Sequence, residues 1–175
     1  MVLVLTGPVH GGKTTFLERS LPAWTGRGLA CAGFLSPAVI DANERSGYDL
    51  LEIGTGRRHP YLRREDSPGL ERAGPYVFFP EALERARAII RGSAPDEVLV
   101  VDEVGPLELE GGGLWPALKD ILRQPDRTSL LVAREDILTG LTALLAPLVP
   151  FVFDIRAPED LKILDVRLAA ASPFP

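Results

Sequence analysis

Gly7-Pro8-Val9-His10-Gly11-Gly12-Lys13-Thr14-Thr15 decides how this chain is read. It stands between the apolar run Val2-Leu3-Val4-Leu5 and the helically spaced Phe16-Leu17-Glu18-Arg19-Ser20-Leu21. A G-x-x-x-x-G-K-T turn between a strand and a helix is the pattern of a phosphate-binding loop. Its glycines let the backbone curl and turn several N–H groups inward, and the helix N-terminus adds partial positive charge. All nine residues from Gly7 to Thr15 are candidate nucleotide contacts. Lys13 is expected to reach the β- and γ-phosphates, and the Thr14 hydroxyl to ligate Mg²⁺. Of nineteen lysines and arginines only Lys13, Lys119 and Lys162 are lysine, yet this position is one of them. A compact ammonium fits between phosphates where a planar guanidinium does not.

Working outward, 175 residues suit one domain spanning the whole chain, residues 1–175, with a sizeable core. Hydrophobic residues make up 46% and charged ones 25%, the balance of a globular, soluble protein. The formal net charge of −5 argues against nucleic acid or an anionic membrane as the main partner. No basic segment precedes an apolar one and no apolar run approaches ~20 residues, so a cytoplasmic protein without signal or membrane segment is expected. Cys31 is the single cysteine, which excludes an internal disulfide and reads as a buried thiol. Nothing in the sequence sets the oligomeric state.

Strand-like runs at Val2–Thr6, Leu29–Pro37, Tyr76–Phe79, Val98–Val101, Ser129–Ala133 and Phe151–Ile155 alternate with helical segments. Those helical segments are Lys13–Pro22, Pro80–Arg91, Leu114–Arg123, Ile137–Leu145 and Glu159–Ala171. Val39–Ile40 and Tyr48–Ile53, joined across the turn-rich Asn43–Gly47, read as a hairpin added near residues 38–53. Gly54 to Pro75, rich in Gly, Pro and Arg, reads as an irregular excursion. Together these predict an α/β, three-layer P-loop fold, with a mostly parallel sheet and helices on both faces.

Val98-Leu99-Val100-Val101-Asp102-Glu103 carries the second half of the site. An apolar strand ending in a carboxylate puts Asp102 at the carboxyl edge of the sheet, where ligands bind in open α/β folds. There Asp102 is expected to hold Mg²⁺ opposite Thr14, with Glu103 positioned to polarise a water for in-line attack on the γ-phosphorus.

Asp102-Glu103-Val104-Gly105-Pro106-Leu107-Glu108-Leu109 resembles a block of the small P-loop nucleoside-triphosphatases first associated with thermophiles. Ala32-Gly33-Phe34, Arg45-Ser46-Gly47-Tyr48 and Gly74-Pro75-Tyr76-Val77 agree with it in order, so the likeness runs from about residue 1 to 155. The resemblance implies slow hydrolysis of nucleoside triphosphates to diphosphate and phosphate, with broad base tolerance. Two places depart from that pattern: Val39-Ile40-Asp41, where the family often has an arginine, and Gly111-Gly112-Gly113.

Several residues stay open at this level. His10 reads as a solvent-facing filler of the loop. Arg57, Arg58, His59, Arg63 and Arg64 read either as a solvated cluster or as a mobile lid that brings guanidinium groups to phosphate. Arg134, after a buried strand, either senses the γ-phosphate or pairs with Glu135 or Asp136. Trp24 and Trp115 read as core. A phosphotransferase with the same loop, or a nucleotide-dependent switch, remains an alternative to the hydrolase. Against a guanine-specific switch, the chain has a single asparagine, Asn43, and so no Asn-Lys-x-Asp motif.

Overall fold

The structure, a computed structural model, describes residues 1–64 and 70–171. Five strands form its parallel half: β1 (Val2–Thr6), β2 (Cys31–Leu35), β8 (Val98–Val104), β9 (Ser129–Ala133) and β10 (Phe151–Asp154). They lie in the order β10-β1-β9-β8-β2, every neighbouring pair parallel. Their side chains alternate between two cores. Val2 and Val4, Leu99 and Val101, and Leu131 and Ala133 point to one face, while Leu3 and Leu5, Val98 and Val100, and Leu130 and Val132 point to the other. Such strands, apolar on both sides, require cover on both sides.

Helices supply the cover. On the first face sit α2 (Pro80–Gly92), α4 (Trp115–Ile121) and α5 (Leu138–Leu145), through Leu83, Ala86, Ile90, Leu118, Leu141 and their neighbours. On the second sit α1 (Lys13–Gly26) and α6 (Pro158–Ala170), through Leu17, Leu21, Trp24, Leu164 and Leu168. The fold is a mixed α/β sheet flanked by helices. Among the described residues no helix is long and apolar enough to cross a membrane.

The other half of the sheet is antiparallel, which corrects the expectation of a mostly parallel sheet. Beyond β2 come β4 (Glu44–Glu52), β5 (Arg58–Arg64), β7 (Tyr76–Phe78) and β6 (Arg72–Ala73), with β3 (Ala38–Asp41) paired to β4. The β3–β4 hairpin turns on Ala42 and Asn43, both at positive φ. Two positive-φ residues make the tight turn whose twist matches antiparallel strands. Gly47 belongs to the strand rather than the turn. A Cβ there would lie 2.0 Å from the Leu62 carbonyl oxygen, so β5 approaches as only glycine allows.

β5 also corrects the reading of Gly54–Pro75 as an irregular excursion. Tyr61 and Leu62 are buried in the first core, while Arg63 donates to Asp49 at 2.6 Å and to the Tyr48 carbonyl. Arg64 lies over the Tyr76 ring, and Arg58 stands 3.8 Å from Glu18. Arg58, Arg63 and Arg64 are strand residues, not tips of a mobile lid. Pro60 was the misleading signal: lacking an N–H, it sits beside the β4 register shift at Tyr48/Asp49, where a strand proline is tolerated. Residues 65–69 of the expected excursion lie outside the described residues.

Candidate active site

Because β10, β1, β9, β8 and β2 run parallel, their carboxyl ends share one edge of the sheet. The segments leaving that edge are the Gly7–Gly12 loop, Ser36, Asp102 with Glu103, Arg134 and Ile155. The loop leaves β1 with Gly7 at φ +146° and enters α1 through Gly12 at φ +84°. A Cβ on Gly7 would meet Ile155 Cγ2 at 2.5 Å, so glycine is needed for close packing as well as for its backbone angle. The Gly7 carbonyl accepts from Glu135 N–H at 3.2 Å, which ties the loop to the segment after β9.

Lys13, the first residue of α1, is 6% exposed. Its Nζ donates to the carbonyls of Gly7 (3.1 Å) and Pro8 (2.9 Å), so the ammonium lies folded across the mouth of the loop. No carboxylate among the described residues forms an ion pair with it.

Asp102, on β8, is 1% exposed. Its Oδ2 accepts from Ser36 N–H at 3.1 Å, and the Ser36 hydroxyl donates to its carbonyl. Burial pushes the Asp102 carboxyl up from its ordinary range, and the Ser36 N–H, the Thr14 hydroxyl and the Lys13 charge oppose that push. A buried carboxylate beside a hydroxyl is a pair of hard oxygen donors that a divalent cation would relieve of its desolvation cost. Thr14 and Asp102 therefore fit Mg²⁺. Among the described residues no group of three or more His, Cys, Asp or Glu forms a cage. That is what Mg²⁺ needs least, because it keeps water and phosphate oxygens as its other ligands.

Glu103 differs from its neighbour. Its side chain keeps 38% of its surface accessible, but the carboxyl is crowded by protein and stands beside Asp102. Burial first, and then the Asp102 charge, push it up to about 7. A carboxylate in that range is a stronger base than an ordinary glutamate and is about half ionised at neutral pH. Arg134 Nε approaches Glu103 Oε1 at 3.8 Å, and its Nη2 lies 3.3 Å from Asp136. Arg134 thus borders the site and makes the expected surface ion pair at once.

Glu108 sits a turn away, 3% exposed on the short helix α3 (Pro106–Leu109). Its two oxygens accept from Gly105 N–H (2.7 Å) and Leu114 N–H (2.8 Å). The unusual Gly111–Gly113 run folds against it: a Cβ on Gly113 would come within 2.0 Å of Glu108 Oε1. Glu71 accepts from Gly113 N–H at 2.7 Å, and Arg87 Nε donates to the Gly113 carbonyl at 2.7 Å. Glu108 is the clamp of the segment that follows Glu103.

Sequence reasoning missed Ser36 altogether, since its partner Asp102 is distant in the chain and no local pattern marks it. His10 is exposed, as expected of a solvent-facing filler, and it also meets Arg45 of the β3–β4 hairpin. A cavity of about 300 Å³, lined in part by Asp96, Glu97 and Asp126, lies at the opposite, amino edge of the strands.

The model of a protein family described as NTPase matches residues 2–168. The chain belongs to that NTPase family. One relative, the nucleoside-triphosphatase THEP1 of Methanopyrus kandleri, is 33% identical over 118 residues, which cover 67% of this chain and 64% of that protein. A Bos taurus protein named as a cancer-related nucleoside-triphosphatase homolog is 28% identical over 172 residues, covering 93% of this chain and 86% of its own. The crystal structure of THEP1 from the hyperthermophile Aquifex aeolicus superimposes with a TM-score of 0.73 at 19% identity, over 98% of this chain and 99% of that one. The fold is thus similar to that of the Aquifex aeolicus protein across nearly the full length of both chains.

Proposed function

We propose that this chain is a nucleoside-triphosphate phosphohydrolase, a single-domain enzyme of three-layer P-loop architecture that works with Mg²⁺ and tolerates several bases. The observation that carries the reading is the meeting, at one sheet edge, of Lys13, Thr14 and the buried Asp102 with the more exposed Glu103. The family's NTPase description supports the same reaction class.

In this reading the N–H groups of the Gly7–Gly12 loop and the start of α1 hold the phosphates. The Lys13 ammonium exchanges the Gly7 and Pro8 carbonyls for phosphate oxygens. Thr14 and Asp102 would hold Mg²⁺, which would supply charge neutralisation to the phosphates. Glu103 accepts a proton from a water. The water oxygen bonds to the γ-phosphorus, the bond from that phosphorus to the β–γ bridging oxygen breaks, and the diphosphate leaves with the bridging oxygen. Base tolerance follows if recognition is confined to the phosphates.

Incubation of ATP with the protein and Mg²⁺, with and without nucleosides or nucleoside monophosphates, tests the reading. Free phosphate and ADP should appear at the same rate in both arms. Transfer seen only when an acceptor is added would replace the hydrolase by a phosphotransferase.

A further inference from the structure

Arg45 stands at the start of β4, in register with Ile40 of β3, and its guanidinium reaches from the hairpin to the phosphate loop. There Nη1 meets His10, hydrogen-bonding Nδ1 and lying 3.0 Å from Nε2, and also donates to the Tyr48 hydroxyl at 3.3 Å. The guanidinium carbon lies 5.5 Å from the centre of the Tyr48 ring. Each of these partners is uncharged or an aromatic face. Among the described residues no carboxylate pairs with Arg45, although the chain is acidic overall and Arg27, Arg63, Arg85, Arg87 and Arg156 each have one. Its Nε is buried without any acceptor.

No anion neutralises this partly buried guanidinium, and its planar fork suits phosphate oxygens. His10 can hold it only as a neutral imidazole. Burial, and then the charges of Arg45 and Lys13, keep His10 below the usual histidine range. A neutral holder gives up a guanidinium more readily than a carboxylate would. The position matters as well. His10 lies inside the phosphate loop at positive φ, so Arg45 is already held against the segment that would receive the phosphates.

Resting on the hydrolase reading above, we infer that Arg45 is a catalytic arginine supplied by the chain itself: it leaves His10 and Tyr48 to bind the γ-phosphoryl oxygens as charge builds on them. The sheet's antiparallel half is then a mount that carries this cation to the loop. An arginine engaged chiefly in the transition state contributes to turnover far more than to ground-state affinity.

The test compares the full-length protein with Arg45→Ala and Arg45→Lys. It measures phosphate release from ATP, affinity for fluorescent ADP with Mg²⁺, and the tightening of ADP binding by aluminium fluoride. Arg45→Ala should lower kcat by about 10²–10⁴, keep ADP affinity within about threefold, and abolish the tightening. Arg45→Lys should fall between, since it keeps the charge but not the fork. Native-like kcat and tightening in Arg45→Ala would overturn the inference. Absence of hydrolysis by the unaltered protein would instead overturn the reading on which the inference rests.

Discussion

Replacing Gly33 by alanine tests how β2 and β8 are held together beneath Asp102. Gly33 sits in β2 at φ +111° and pairs with Val100, two residues before Asp102. A Cβ there would lie 1.9 Å from the Val100 carbonyl oxygen and 2.8 Å from its carbonyl carbon. Both are backbone atoms of a central strand, so no side chain can swing away. The backbone angle costs an L-residue about 1–3 kcal/mol. Forcing a methyl group into a packed strand pair costs a further 1–3 kcal/mol or so. The sum, about 2–6 kcal/mol, is a large part of the ~5–15 kcal/mol that stabilises a typical domain. Urea unfolding followed by circular dichroism should show that loss, and the melting temperature should fall by about 4–24 °C. Gly33→Ala with less than about 1 kcal/mol lost would refute the close approach of the two strands.

Glu108→Gln replaces one of two acceptor oxygens with an NH₂ facing an N–H of Gly105 or Leu114. Its stability should fall by about 1–3 kcal/mol while nucleotide affinity is retained, and full stability with lost turnover would make Glu108 catalytic instead. Glu103→Gln should slow hydrolysis by about 10²–10⁴ with Mg²⁺–nucleotide binding intact, whereas Asp102→Asn should weaken the dependence on Mg²⁺. The Glu103 carboxyl is raised, so its base form is lost as pH falls through about 7. Mg²⁺ beside Asp102 can only lower that value. An acid limb at or below pH 7 is therefore expected in the native enzyme and should be missing in Glu103→Gln; a limb unchanged by the substitution would exclude Glu103 as the base. Burial, and then Glu97, raise the Cys31 thiol to about 11, so the native protein should react slowly with a disulfide reagent at pH 8 and quickly once unfolded in urea. Immediate reaction of the folded protein would contradict that burial.

The parallel half of the fold is legible in the sequence because its strands are apolar on both sides and its helices keep a clean stripe. Val2–Thr6 and Ser129–Ala133 are read to the residue. Helix α1 is read only to Pro22 yet runs to Gly26, since Trp24 packs against Phe16 and donates to Asp165 at 2.8 Å. The antiparallel half is harder to read. Arg58-His59-Pro60-Tyr61-Leu62-Arg63-Arg64 has only two buried apolar residues, and its charges find partners across strands rather than along the chain. At the site, the loop and the Asp102-Glu103 pair announce themselves by motif. Ser36 and the Arg45–His10 contact do not, because they are products of strand pairing between segments far apart in sequence.

The central claim is that the cradle around Lys13 binds triphosphate for hydrolysis. Phosphate release from ATP, GTP, CTP and UTP with Mg²⁺, measured for the native protein beside Lys13→Ala, tests it most directly. The native protein should release phosphate from all four, and Lys13→Ala should lose most triphosphate affinity and nearly all turnover. Equal release and equal affinity in the two proteins would contradict the claim.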